Sequence, residues 1–313
     1  MLSRRGLLRA ICLSVYWSSE VVPRAVAQQA WPCQAVRLLV AYPPGGVSDM
    51  MARVLAEQLS ATWGVQVRVE NRPGASGTLA LRSLLRSAPD GHTLAFAAVT
   101  AVALLDEAWN DTPRLSVVPV AGVMRTPMLL VGTPALKAST FAEMLVEARQ
   151  VPGGLRWATT GTGTTGHSVL QRIASATGIR FVHVPYKGGG QQITDALGGH
   201  FELLSTNVAS RQLEALHRRK LRALAVGAPQ RLPVLPQVPT FAELGYAQAN
   251  LDSLFGLFAP PHTPESLVER VHDGVAHALR EPSIREKLLA ANNQPFDGSV
   301  VDFSREVLQK AER

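Results

Sequence analysis

Leu155–Gly190 reads LRWATTGTGTTGHSVLQRIASATGIRFVHVPYKGGG, and its punctuation decides the fold class. A short run of β-formers, Leu155 to Thr159, meets a turn with glycines at Gly161, Gly163 and Gly166. A helical stretch and a second strand, Arg180 to Tyr186, follow, and then Gly188, Gly189 and Gly190. Strand, glycine turn, helix, strand and glycine turn is the building unit of a parallel α/β sheet. The first amides of a helix have no internal partner and the helix dipole is positive there, so both turns favour an anion. The spacing of Gly161, Gly163 and Gly166 also fits the dinucleotide fingerprint, which wants an acid about 20 positions on, at the end of the next strand. That strand ends in Tyr186 and Lys187, which argues against a nucleotide. A tight turn whose glycines serve packing alone is the plain alternative.

The surroundings of this stretch repeat its logic. Val36 to Ala41 is a continuous apolar strand, followed by the turn Tyr42 to Gly46 and a helix from Ser48 to Leu59, with Ser48 as a candidate cap. Val65 to Glu70 is a second strand, the turn Asn71 to Gly77 leads into a helix Thr78 to Ser87, and His92 to Thr100 is a third strand. Val117 to Val131 is apolar and broken by Thr126 and Pro127, which reads as two strand segments crossing into a second domain. There the helix Thr140 to Gln150 precedes the quoted stretch. A helix Gln191 to Leu197, a strand Phe201 to Thr206, a helix Val208 to Leu216, a strand Leu221 to Val226 and a short helix at Phe241 to Leu244 follow it. After the strand Leu254 to Ala259, three helices, Pro264 to Arg280, Ser283 to Ala291 and Val300 to Glu312, return to the first domain. Two crossings make a hinge with a ligand between two lobes. The expected division is 31–126 with 253–313 as the first lobe and 127–252 as the second, the second crossing falling between 221 and 259.

Length and composition agree. A chain of 313 residues exceeds the size at which one core stops growing. Apolar residues make up 46% and charged residues 18%, an ordinary globular balance. Much of the net charge of +7 lies in residues 1–27, where Arg4, Arg5, Arg9 and Arg24 face Glu20 alone. The mild excess left, densest at Arg218, Arg219 and Lys220, lacks the basic face and aromatics of a nucleic-acid binder. Residues 1–27 read as a signal peptide: charged MLSRRGLLR, an apolar stretch Ala10 to Trp17, and Ala25-Val26-Ala27 as a cleavage pattern. SRRGLL resembles a twin-arginine signal, so the expectation is a periplasmic protein exported by that or the general secretory route. Cys12 falls in that segment, leaving Cys33, and a single thiol makes neither a disulfide nor a metal site.

Six separated motifs then point one way: YPPGGVSDMMAR (Tyr42–Arg53), ENRPGASGTLA (Glu70–Ala80), APDGHTL (Ala88–Leu94), GTGTTGH (Gly161–His167), HVPYKGGG (His183–Gly190), and LRALAV followed by RLPVLPQVPTFAELGY (Leu221–Tyr246). In this order they resemble the extracytoplasmic solute receptors of the tripartite tricarboxylate transporters, the Bug family. The resemblance implies a two-lobed periplasmic binding protein fold, mainly parallel sheets flanked by helices, closing over a small carboxylate such as an organic acid, an amino acid or an aromatic acid. It implies a monomer without cofactor, metal or nucleic acid, working with a membrane transporter; a receptor handing its closed form to a signalling partner stays open as an alternative. Carried over by position, Tyr42, Gly45, Gly46, Ser48 and Asp49, with Ala75 and Ser76, come from the first lobe. Gly163, Thr164, Thr165 and His167, with Tyr186 and Lys187, come from the second. The chain departs from the family pattern in the short segment LLDEAWNDTPRLSVVPV (Leu104–Val120) and at Val99 and Thr100, on the expected rim of the cleft.

Several of these residues have a second reading. Asp49 in a first helical turn is also what the dipole alone would favour. His167 can donate to an anion or simply cap its helix, Lys187 can be a counter-charge or solvated, and Tyr186 can be a wall. Thr100 and Asn207, at strand ends, complete the candidate set. Catalysis is not expected. Ser168 beside His167 diverges from it on a helix, no GxSxG elbow exists, and His272 and His277 have no metal-ligand spacing.

Overall fold

The computed structural model describes residues 31–107 and 116–311. The signal-peptide reading, Cys12 and most of the shortened segment after Glu107 lie outside them.

Strand β1 (Val36–Val40) leads to helix α1 (Val47–Trp63), β2 (Val67–Asn71), a 3₁₀ turn at Ala75–Gly77, α2 (Thr78–Leu84), β3 (Thr93–Ala98) and α3 (Val99–Glu107). Then come β4 (Val118–Gly132), α4 (Phe141–Gln150), β5 (Leu155–Thr159), α5 (Thr165–Thr177), β6 (Phe181–Pro185), α6 (Gly189–Leu197), β7 (Leu203–Asn207), α7 (Ser210–His217) and β8 (Arg222–Gly227). The chain closes with β9 (Asp252–Ala259), α8 (Glu265–Arg280), α9 (Pro282–Ala290), β10 (Gln294–Pro295) and α10 (Val300–Ala311).

The strands form a two-lobed mixed α/β fold in the order β2-β1-β3-β9-β4-β7-β5-β6, with β8 and β10 also paired to β4. β1 is parallel to β2 and β3, and β5 is parallel to β6 and β7, so each lobe has a parallel core. The antiparallel strands β4 and β9 join them. Val118 to Pro127 pairs with β9, whereas Met128 to Gly132 pairs with β7 and β8. β4 therefore passes from one sheet to the other at Pro127–Met128, and the return lies between Gly227 and Asp252.

Alternation along the strands puts helices on both faces. In the first sheet, Leu38, Val40 and Phe96 bury against α1, α8 and α9, while Leu39, Ala95 and Ala97 bury against α2, α3 and α10. In the second, Leu155 and Trp157 pack with α4 and α5 on one face; Ala158 and Leu204 pack with α6 and α7 on the other. α1 buries Met51, Ala52, Leu55, Ala56 and Leu59, a stripe at helical spacing, and stops at Gly64 in the left-handed region. α4 starts at Thr140, whose hydroxyl accepts the Glu143 N–H at 3.2 Å.

Three sequence expectations are corrected. β4 is one continuous strand rather than two segments. Pro127 is tolerated because it sits at the crossing, where its carbonyl accepts from Val208 N at 3.0 Å and its missing N–H disturbs neither ladder. The third strand stops at Ala98, and Val99 and Thr100 open α3, whose buried Val99, Val102 and Leu105 recur at three-residue steps inside a continuous apolar run. Phe241 to Leu244 is a single turn rather than a helix: Glu243 N–H donates to Thr240 Oγ1 at 3.1 Å and the Glu243 carboxylate accepts from Thr240 N at 2.8 Å, and only a 3₁₀ turn at Ala247–Ala249 follows. Smaller shifts move α6 two residues forward, so Gly189 and Gly190 are its first turn, and end α2 at Leu84.

Candidate functional site

The carboxyl ends of β1 and β3 in the first sheet, and of β5, β6 and β7 in the second, open on one cavity of about 580 Å³. Its lining includes the N-terminal residues of α1, α5, α6 and α7, and Thr100 from the first turn of α3. Four helix starts, with Thr100 of α3 beside them, thus meet at one space, where unpaired helix-start amides favour an anion.

On the first side, the turn Tyr42–Gly46 is built by hydrogen bonds around Asp49. Its carboxylate accepts from Gly45 N at 2.9 Å, Arg53 Nε at 3.0 Å and Asn71 Nδ2 at 2.7 Å. Burial alone would raise the Asp49 pKa, but the bonds from Arg53, Gly45 and Asn71 outweigh it and hold the carboxyl below its usual range. Asp49 is only 3% exposed and does not line the cavity. Asn71 also donates to the Tyr42 carbonyl at 2.9 Å, and the Tyr42 hydroxyl accepts from Ala98 N at 3.0 Å, so the turn is tied to β2 and β3. Burial pushes the Tyr42 hydroxyl pKa well up, although the Ala98 bond opposes it. Ser48 is not the cap of α1. Gly46 holds that place without a side-chain bond, and Ser48 sits in the first turn, 8% exposed and lining the cavity.

On the second side, the turn Thr160–Thr164 folds on its own groups. Thr164 Oγ1 donates to Gly161 O at 2.7 Å, and Gly163 N donates to His167 Nδ1 at 3.1 Å. That bond makes Nδ1 an acceptor, so His167 is neutral and is tied through Nδ1 to its own turn. Its ring lies 4.3 Å from the ring of His183, whose Nε2 is 2.7 Å from Thr159 Oγ1. Burial lowers both histidine pKa values, and the neighbouring His167 ring lowers that of His183 further. Thr165, 4% exposed, lines the cavity. The two sides touch directly. Ser76 Oγ donates to Thr162 O at 2.8 Å, a Cβ placed on Gly188 would lie 2.9 Å from the Pro43 ring, and one on Gly163 would collide with Leu104.

Of the residues expected from sequence, Tyr42, Gly45, Gly46, Ser48, Ser76, Thr100, Thr164, Thr165 and Asn207 line this cavity. Asp49, Ala75, Gly163, His167, Tyr186 and Lys187 do not. Tyr186 donates its hydroxyl to Asp195 at 2.7 Å, and its pKa is pushed up to about 12 by burial and then by that carboxylate. Lys187 is exposed beside the turn. Sequence reasoning missed Arg211 and Gln212 on α7, Ser205 and Thr206 on β7, and the apolar wall of Met128, Ile193 and Phe255. Gln212 Nε2 donates to Thr206 Oγ1 at 3.0 Å, and Ser253 Oγ donates to Asn207 Oδ1 at 3.1 Å. Alternation in β7 and the helical start after Asn207 were readable, but which residues of α7 face the cleft depends on the packing of α6. Among the described residues no cluster of histidine, cysteine or carboxylate side chains is placed to hold a metal, and no helix is long and apolar enough to cross a membrane.

Residues 51–313 match the family model described as the tripartite tricarboxylate transporter family receptor. The UPF0065 protein in the tcbD–tcbE intergenic region of Pseudomonas sp. (strain P51) is 32% identical over 291 residues, covering 92% of this chain and 85% of that protein. A solved periplasmic transporter superposes with a TM-score of 0.82 at 31% identity, over 90% of this chain and 95% of that one. Rpa4515 of R. palustris, solved with adipate, superposes with a TM-score of 0.81 at 30% identity, over 90% and 95% of the two chains.

Proposed function

The chain belongs to the tripartite tricarboxylate transporter receptor family, and from that premise we propose that it is a periplasmic receptor closing over a small carboxylate. The observation that carries this reading is a pair of hydroxyls. Ser48 on α1 and Thr165 on α5 belong to different sheets, are each more than nine-tenths buried, and line the cavity. Neither has a side-chain hydrogen-bond partner among the described residues, so each has a donor to offer inside the cleft. A carboxylate has about four acceptor sites, and hydroxyls with helix-start amides from two lobes supply donors without a full counter-charge. A ligand gains contacts on both sides only in the closed form, which makes closure the signal.

The lobes divide, on this reading, into 31–126 with 253–313 and 127–252, with a membrane transporter as the partner of the closed monomer. The adipate held by the similar Rpa4515 supports an organic acid as the class. The reading is one of binding without turnover: no hydroxyl lining the cavity bonds a histidine or a carboxylate among the described residues, so no nucleophile and base are paired. Titration calorimetry with a panel of organic acids tests the proposal. The expected result is a bound acid whose affinity drops on the order of tenfold in Ser48→Ala and in Thr165→Val, the loss of one charge-assisted bond each. A folded, ligand-free protein that binds none of the acids, or variants that bind as the parent does, would sink it.

A further inference from the structure

One charged side chain lines the cavity among the described residues, and the pole at Ser48 and Thr165 leaves it unexplained. Arg211 is the second residue of α7. Its Nη2 donates to a neutral hydroxyl, Thr194 Oγ1 on α6, at 3.2 Å, and no aspartate or glutamate is among the lining residues. The guanidinium is thus anchored beside the space and lacks an acid there to answer its charge.

Its position in the second sheet separates it from the first pole. β7, β5 and β6 are neighbours. α5 packs on one face of them through Val169, Leu170 and Ile173, and α6 and α7 pack on the opposite face through Ile193, Ala196 and Ala215. The cavity therefore spans the carboxyl edge of the sheet, with Thr165 at the helix of one face and Arg211 at a helix of the other. Met128, Ile193 and Phe255 supply apolar lining to the same space. A monoacid bound at the first pole leaves Arg211 facing carbon and water. A second carboxylate on an aliphatic spacer would take up the planar fork of the guanidinium, whose geometry matches two oxygens at once.

Resting on the carboxylate reading above, we propose that Arg211 is the specificity-determining residue that makes this receptor prefer a diacid over the monoacid of equal length. The experiment compares, by titration calorimetry, aliphatic diacids from succinate to suberate with their matched monoacids, on the parent protein, Arg211→Met and Arg211→Lys. The readout is the affinity ratio of the best diacid to its matched monoacid. The expected ratio is on the order of tenfold or more in the parent, close to one in Arg211→Met, and intermediate in Arg211→Lys, which keeps the charge but not the fork. A ratio near one in the parent, or one that survives in Arg211→Met, overturns the inference and leaves the carboxylate reading standing. Absence of binding by every acid, mono or di, overturns that reading and this inference with it. Circular dichroism and thermal melting confirm that each variant is folded, and Arg211 is exposed enough for that to hold.

Discussion

In the first turn of α1, Ser48 offers its hydroxyl to the cavity while Asp49, one residue later, uses both carboxylate oxygens on Gly45, Arg53 and Asn71. A sequence reader sees two polar residues behind a glycine turn and credits both to a ligand. The structure separates them, because a helix turns adjacent side chains about 100° apart. Asp49 shapes the site by holding Gly45 and, through Asn71, the Tyr42 carbonyl. Asp49→Ala leaves those donors without an acceptor, in a group whose side chain is only 5% exposed, and is expected to cost about 1–3 kcal/mol of stability. The pH dependence has a defined sign. The folded pKa is depressed, so the stabilisation is full above the unfolded value, about 3.9, and is lost as pH falls through the folded one. The stability difference between the parent and Asp49→Ala in urea melts should therefore be constant near neutrality and shrink in acid. A difference that is absent at pH 7, or that grows in acid, contradicts the assignment.

At the scale of the element, the turn Thr160–Thr164 was legible because glycines between a strand and an amphipathic helix have few other uses, and the same holds for Tyr42–Gly46. α3 was not, since the apolar run from Leu94 to Leu105 fits a buried strand as well as a buried helix. Arg211 was not either. It stands in SRQLEALHRRK with Arg218, Arg219 and Lys220, and only the packing of α7 beside α6 turns it to the cleft. What sequence could not supply for Gly163 is its neighbour. Gly163 adopts φ +72°, and a Cβ there would strike Leu104 of α3, across the cleft. Gly163→Ala should then do two things: strain its own backbone by about 1 kcal/mol and hold the lobes apart. Adding Leu104→Ala removes the collision but leaves the backbone term. Ligand affinity measured by calorimetry is expected to fall in the single variant and to recover in the double one, while the loss in thermal stability stays. If affinity falls equally in both, the glycine serves its turn and not the closing contact.

For the whole molecule, two kinds of contact oppose each other around the crossing strands. Behind the cleft, Arg125 of β4 pairs with Asp252 of β9 at 3.5 Å and with Glu306 of α10. Thr126 Oγ1 donates to Asn293 Oδ1 at 2.6 Å in a fully buried pair. These tie the first sheet to the strand pair that leaves it. In front, the lobes meet through small contacts: Pro43 against Gly188, Leu104 against Gly163, and the Ser76 hydroxyl on the Thr162 carbonyl. The rear set centres on the fully buried Thr126–Asn293 pair, with the Arg125 ion pairs partly exposed beside it, whereas the front set can part at the cost of one hydrogen bond and little apolar area. Opening is therefore expected about β4 and β9, with the front contacts setting its equilibrium. Ser76→Ala removes the one side-chain bond among them, worth about 0.5–1.5 kcal/mol net. If the closed form is the binding-competent one, apparent affinity scales with its population, so the variant should bind its acid about two- to tenfold more weakly. Small-angle scattering supplies the independent measure. The ligand-free variant should show a larger radius of gyration than the ligand-free parent, and saturating acid should bring both to the same smaller value. A radius that acid leaves unchanged in both proteins would mean that the two sheets form a fixed cup, and that the recognition signal is not closure.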